Sequence, residues 1–341
     1  MRAWQVTRLG EPTDVLEEVD VELPELTGSQ LRVRTLAAAA NFPDVLMCRG
    51  LYQVKPDLPF TPGVEGCFEI VEVGPHVTDW EVGDRVIGGP VLPHGAFAEY
   101  AVLDSAMTFA APQALTNEEA SGLFIGYQTG WFGLHRRAQL KEGETLLIHA
   151  AAGGVGSAAI QLGKAAGARV IGVVGGAAKA EYARALGADI VVDRHTEDFV
   201  DVVKEATGGR GADVIYDPVG GETYQRSTKC IAFEGRILVI GFAGGDIQQA
   251  ALNHALVKNY SIVGLHWGLY NRFDPAAVQA CHDELTRLAY EGVVKPLIGE
   301  ARGLDEIPAG LQALANGDTV GRVVFSPAAS GEVVEQPTPE G

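Results

Sequence analysis

Three glycines, Gly153, Gly154 and Gly156, lie within "LLIHAAAGGVGSAAIQLGKAAGARVIGVVGG", the stretch from Leu146 to Gly176. A short apolar run precedes them and a helix-like run follows. In that context Gly153 supplies a tight turn. Gly154 and Gly156 let the backbone approach a pyrophosphate, whose charge also gains from the start of the helix. Ala152 and Val155 belong to the same turn, and the small Ala152 suits its crowding. A glycine cluster alone is also an ordinary turn, but the order strand, turn, helix favours dinucleotide binding.

The next strand bears on which dinucleotide. About twenty residues beyond the first glycine, an NAD site carries Asp or Glu to hold the ribose hydroxyls. Here the chain reads Val173, Val174, Gly175, Gly176. No acid repels a 2′-phosphate, and Gly175 leaves room for one. Lys179 and Tyr182 follow, and an ammonium and a phenol can both contact phosphate. The plain alternative is a solvated lysine and a half-buried tyrosine. The expected cofactor is NADPH. Two further glycine-rich loops follow later strands: Pro218 to Gly221, with Val219, and Gly241 to Gly245, with Phe242 and Ala243. Ligands sit beyond the carboxyl ends of parallel strands, so these loops are expected to wall the cofactor. Arg322, in the late run "GRVV", either reaches the cofactor or packs.

The elements that must hold these residues change character along the chain. The first third reads as short strands bounded by glycine and proline, among them "LRVRTLAAAA", "GCFEIVEVGP" and "GDRVIGG". That suits a β-rich domain better than a parallel sheet. From Asn117 a helical rhythm begins. Apolar strands and helices then alternate through "RILVIGFAGG", which argues for a doubly wound parallel sheet. "DPAAVQACHDELTRLAYEG" and "DEIPAGLQALANG" read as helices, and "VGRVVFSP" as a closing strand that returns to the first domain. The chain has 341 residues, 47% apolar and 21% charged, with a formal charge of −18. That length gives ample core. The acidic balance argues against nucleic-acid binding, which needs a clustered basic surface. No apolar run approaches a membrane span. The four cysteines form no CxxC pair, so they are expected reduced and buried. With no apolar signal-like run in "MRAWQVTRLGEPTDVLEEVD", a cytoplasmic location is expected.

Several stretches in order, "AAAANFPDVLMCRGLY", "PFTPGVEGCFEIVEVG", "VGDRVIG", "GAFAEYAV", "HAAAGGVGSAAIQLGKAAGARVIG", "LGAD", "ADVIYDPVGG" and "GRILVIGFAGG", resemble the medium-chain dehydrogenase/reductases. The resemblance runs from residue 1 to about 326 and is strongest to the zinc-free quinone oxidoreductase, or zeta-crystallin-like, branch. It implies an α/β chain with a GroES-like catalytic domain over 1–122, completed by 267–326, and an inserted Rossmann-type NADPH domain over 123–266; the polar, acidic, proline-bearing tail over 327–341 is expected to be disordered. It also implies a homodimer or tetramer.

Zinc enzymes of this superfamily have a catalytic cysteine where this chain has Asn41. They have Gly-His-Glu where it has Gly63, Val64, Glu65. Catalytic zinc keeps three protein ligands, and Glu65 with Asp44 do not supply them. Cys67 and His76 lack a third partner, so no metal is expected. Two catalytic candidates remain. Asn41 is expected to donate an amide hydrogen bond to cofactor or acceptor. Tyr52 aligns with the tyrosine of related enoyl thioester reductases, as proton donor or as a structural residue. The resemblance places Tyr127 and Thr129 near the nicotinamide. Phe42, Tyr52, Tyr127, His266, Trp267 and Tyr270 form an aromatic set for a flat acceptor, with His266 and Trp267 also counted toward the cofactor. The expected activity is NADPH-dependent reduction of a quinone or similar conjugated acceptor. The alternatives are an enoyl-CoA or alkenal reductase, and a nucleotide-binding protein without turnover.

Overall fold

The structure, a computed structural model, describes residues 1–327. The expected tail therefore lies outside the described residues beyond Pro327. The chain forms two compact units. One comprises residues 1–124 and 295–327, and the other is Ile125–Val294.

The first unit is built on antiparallel strands. The long strand Gln30–Ala39 pairs on one side with Gly66–Val73, and Tyr100–Asp104 also pairs with it. Arg85–Gly88 and Thr108–Ala110 continue the sheet beyond Gly66–Val73. The closing strand Arg322–Phe325 does return here, pairing Val324 with Ala39 and Phe325 with Ala38. Alternate residues of these strands enter one core, because successive side chains of a strand face opposite ways. Leu31, Val33, Phe68, Ile70, Val86, Phe97 and Phe325 are all buried in it. Phe97 and Phe325 meet edge to face at 5.5 Å, locking the late strand to the early ones.

The second unit carries six parallel strands. Their spatial order is Ile190–Asp193, Arg169–Val174, Thr145–Ile148, Ala212–Asp217, Ile231–Val239, Ser261–Gly264. In chain order this is third, second, first, fourth, fifth, sixth, the doubly wound arrangement whose order reverses beside the first strand. The run "ETYQRSTKCIAFEG", residues 222–235, reads as one helix by its local pattern, but the helix spans only Gly221–Ser227, and Ile231–Val239 is strand. The β-branched Ile231 and Ile237 there join the parallel core, and tertiary packing outweighs local helix propensity.

The units divide later than the expected join at residue 267. The segment from Trp267 to Tyr290 belongs to the second unit because its side chains are tied there. Tyr270 stacks on Phe132 at 4.2 Å, and Asp274 accepts a 2.7 Å bond from Arg136. The helix Pro275–Tyr290 then buries Val278, Cys281, Leu285 and Leu288. Among the described residues no helix is long and apolar enough to cross a membrane.

Candidate functional site

The glycine turn follows the fully buried first strand of the parallel sheet, Thr145–Ile148. Ala150 adopts φ 48°, an uncommon conformation for a non-glycine residue. The helix Gly154–Ala165 begins at once, with Gly153 at its cap and no side chain capping it. Its first amides have no intrahelical acceptors, and the dipole of a twelve-residue helix adds to them. A Cβ on Gly156 would overlap the Ala150 carbonyl oxygen and stand 2.9 Å from the Ala150 carbonyl carbon. Glycine is therefore required for the helix to start this close to the strand. Gly153, Gly154 and Val155 are half-exposed around this turn, while Ala152 and Gly156 are buried. An uncapped helix start with space at glycine backbone fits a pyrophosphate.

The second strand ends at Val174, and Gly176 takes φ 94° before the helix Ala177–Ala185. Lys179 is half-buried on that helix, and Tyr182 is buried. Asp193, at the end of the third strand, organises the turn. Its Oδ1 accepts from the Gly176 amide at 2.9 Å and from the His195 amide at 3.0 Å. Those bonds hold its carboxyl below the usual carboxylate range. Two side chains absent from the sequence expectations lie over Gly175. A Cβ built there would be 2.9 Å from Arg194 Nε and 3.3 Å from His195 Nε2. The available signal was a basic pair directly after a strand, "VVDRH", at the sheet end where ligands bind.

The two later loops are stitched together. Asp217 is buried, and its Oδ1 accepts from the amides of Val219 at 2.9 Å and Gly220 at 3.0 Å. Its Oδ2 is buried without a partner among the described residues, and burial raises the carboxyl above its ordinary value. Across from it, the Ala243 amide donates to Pro218 O at 3.0 Å and the Gly244 amide to Val219 O at 2.9 Å. Val219, Gly241, Phe242 and Ala243 thus form one wall at the end of adjacent strands. On the helix Phe124–Trp131, Tyr127 donates its hydroxyl to Gln161 at 2.7 Å, and Thr129 is buried. Between them the fully buried Gln128 accepts from Trp267 Nε1 at 3.1 Å, while its Nε2 has no partner among the described residues. That ties Trp267 to the Tyr127–Thr129 segment, whereas His266 is exposed.

In the first unit, Asn41 heads the short helix Phe42–Cys48. Its backbone amide donates to Asp44 Oδ2 at 2.9 Å, and Asp44 Oδ1 accepts from the amides of Gly63 and Val64 at 3.0 and 3.1 Å. Burial pushes Asp44 up to about 7, against these three donors and the Arg322 charge, which favour the carboxylate. The Asn41 side-chain amide has both hydrogens engaged, one on Ala39 O at 3.1 Å and one on Glu65 Oε1 at 2.9 Å. Arg322 completes the cluster. Its Nη2 pairs with Glu65 Oε1, and its Nη1 donates to Asn41 Oδ1 at 3.3 Å. Arg322 is buried, with both Nη groups on protein partners and its Nε without one among the described residues. Tyr52 is half-buried against the same core, with its phenol raised by burial and by the Asp44 charge. Among the described residues no three of His, Cys, Asp or Glu are grouped to hold a metal. Beside Glu65 stands a guanidinium, whose positive charge opposes a metal cation.

Known proteins match this architecture. The family profile "Alcohol dehydrogenase GroES-like domain" covers residues 27–113, and "Zinc-binding dehydrogenase" covers 154–283. A protein of Nematostella vectensis named quinone oxidoreductase-like protein 2 homolog is 38% identical over 95% of this chain and 88% of its own length. The crystal structure of a Pseudomonas syringae quinone oxidoreductase superposes with a TM-score of 0.88 at 35% identity, covering 96% of this chain and 99% of that one. That of Escherichia coli quinone oxidoreductase complexed with NADPH gives 0.89 at 29% identity, covering 96% and 100%.

Proposed function

This chain belongs to the zinc-independent quinone oxidoreductase, or zeta-crystallin-like, family of the medium-chain dehydrogenase/reductases, and from that membership we propose that it reduces quinones or similar conjugated acceptors with NADPH. When bound, NADPH supplies a hydride from its nicotinamide C4. The carrying observation is the second strand of the parallel sheet. It ends in Val-Val-Gly-Gly without an acid, beside an uncapped helix start at Gly153.

The residues divide the work by chemistry. The turn at Ala152, Gly153, Gly154, Val155 and Gly156 holds the pyrophosphate on backbone amides. Gly175, Lys179 and Tyr182 take the adenosine end. Val219, Gly241, Phe242 and Ala243 wall the ribose and nicotinamide, with Tyr127, Thr129, His266 and Trp267 on the nicotinamide side. To Tyr52 we assign the proton that an enone product needs at carbon. A hydroquinone needs no such donor, since its oxygens take protons from water. Asn41, with both amide hydrogens engaged, acts here as a positioning residue, and Arg322 holds Glu65.

The test is an acceptor panel at fixed NADPH: benzoquinone, phenanthrenequinone, crotonyl-CoA, an alkenal and a simple aldehyde. Quinone turnover well above the rest is expected. Faster reduction of crotonyl-CoA or the alkenal replaces the proposal with the enone reading, which Tyr52 would serve. NADPH retention with no turnover on any acceptor marks a nucleotide binder. Tighter binding of NADH than NADPH removes the cofactor assignment, and Lys179→Ala is expected to weaken NADPH more than NADH.

We also assign a homodimer. The strand Ser261–Gly264 is the outer strand of its sheet, and Phe233, Ile247, Leu252, Leu256 and Val257 are exposed near it in the chain. An open edge beside apolar side chains suits self-pairing about a two-fold axis. With four unpaired, buried cysteines and an acidic balance, we place it in the cytoplasm without a nucleic-acid partner.

A further inference from the structure

We propose that Arg194, supported by His195, is the residue that selects the adenosine 2′-phosphate. The inference rests on the NADPH reading above and deepens it. Lys179 and Tyr182 come from the helix after the second strand. Arg194 and His195 come instead from the turn after the third strand, Ile190–Asp193. That strand lies directly beside the second in the sheet, pairing Asp193 with Val174.

Adjacent parallel strands bring their carboxyl ends to the same place. Around a Cβ built on Gly175, Arg194 Nε would lie at 2.9 Å, Arg194 Nη2 at 3.2 Å and His195 Nε2 at 3.3 Å. The guanidinium and the imidazole therefore cover the glycine at the strand end, where an NAD site carries its acid. A carboxylate at that position would meet the guanidinium and satisfy it. With glycine present, the Arg194 backbone amide donates to Val174 O at 2.9 Å, while its side chain is exposed and makes no hydrogen bond among the described residues.

Asp193 feels the Arg194 charge but accepts no hydrogen bond from the guanidinium among the described residues. Asp193 spends its Oδ1 on the Gly176 and His195 amides, which fixes both turns. The His195 ring nitrogen Nδ1 lies 3.7 Å from that oxygen. Asp193 thus positions the pair by its backbone bonds. A guanidinium offers planar, forked donors that match phosphate oxygens, and charge-assisted bonds of this kind are the strong ones. A ribose hydroxyl offers no charge to the same fork, so Arg194 discriminates between the two cofactors.

The test is isothermal titration calorimetry on the whole chain. The ligands are NADPH, NADH, adenosine 2′,5′-bisphosphate and 5′-AMP, with wild type, Arg194→Gln and His195→Gln. Arg194→Gln is expected to weaken NADPH and the bisphosphate about tenfold, roughly 1.4 kcal/mol, and to leave NADH and 5′-AMP unchanged. His195→Gln gives a smaller loss with the same pattern. An unchanged melting temperature is expected for Arg194→Gln, since the side chain is exposed and unbonded. Unchanged bisphosphate affinity in Arg194→Gln overturns the proposal, and so does an equal loss for NADH and NADPH. If wild type itself binds NADH more tightly than NADPH, the cofactor reading fails first. If wild type prefers NADPH and Arg194→Gln prefers it equally, only this assignment fails.

Discussion

Replacing Arg322 by methionine separates a packing arginine from a cofactor ligand. Arg322 is 3% exposed and its partner Glu65 is 0% exposed, so neither charge is hydrated. Burial lowers the Arg322 pKa to about 10 even though the Asp44 charge raises it, which shows how poorly this site tolerates charge. Arg322→Met removes the guanidinium and leaves the Glu65 carboxylate without it. It also strips Asn41 Oδ1 of its 3.3 Å donor. Breaking one side of a buried pair costs about 3–5 kcal/mol, whereas replacing both partners by neutral groups is often nearly neutral. At about 2–4 °C per kcal/mol for a unit of this size, the melting temperature should fall by roughly 6–20 °C. The double variant Glu65→Gln with Arg322→Met should recover most of that loss. Scanning calorimetry and urea titration read both, with NADPH affinity measured well below the transition. Stability unchanged within about 1 kcal/mol, together with a collapse in NADPH affinity, would refute the structural reading and make Arg322 a cofactor ligand.

Other outcomes follow from the same geometry. Gly156→Ala must displace the helix start from Ala150, so NADPH and NADH affinities should fall together, with about 1–3 kcal/mol lost in urea unfolding. Tyr52→Phe should slow enone reduction about a hundredfold while sparing quinones, because only carbon protonation needs a positioned acid; stopped-flow rates on both acceptor classes check this. His149 is buried against Phe199 and Ser227, and desolvation lowers it from 6.5 to about 3. The unfolded chain binds that proton first, so this contribution to stability is present above about pH 6.5 and is lost as pH falls toward 3. Between pH 7 and 5 the loss is about 2 kcal/mol, and His149→Gln should flatten the urea midpoint over that range. If the chain self-pairs as proposed, Leu256→Glu should yield monomer in light scattering, since it places a charge in the exposed apolar face.

Local pattern made much of the second unit legible. Apolar strands alternating with helices imply a parallel sheet, and glycines between one strand and its helix imply a phosphate turn; both are short-range signals. The returning strand at Arg322–Phe325 was legible for a similar reason, because a lone strand with two helices cannot bury its own apolar face. The helix expected over 222–235 was misjudged where β-branched residues of Ile231–Val239 pack into the sheet. The boundary at residue 267 failed to anticipate that Tyr270 stacks on Phe132 and Asp274 pairs with Arg136, 138 positions away in the chain.

For the site, sequence by itself determined the glycine turn, the absence of an acid after Val174, and the asparagine in place of a metal-binding cysteine. These are properties of residue identity and of neighbours in the chain. Only the tertiary structure decided what the charged residues do. It set Arg322 on Glu65, 257 positions apart, and engaged both hydrogens of the Asn41 amide. It also laid Arg194 over Gly175, because the second and third strands pair side by side and end together. A charge acts on whatever the topology brings within a few ångströms, and no local pattern in the sequence encodes that distance.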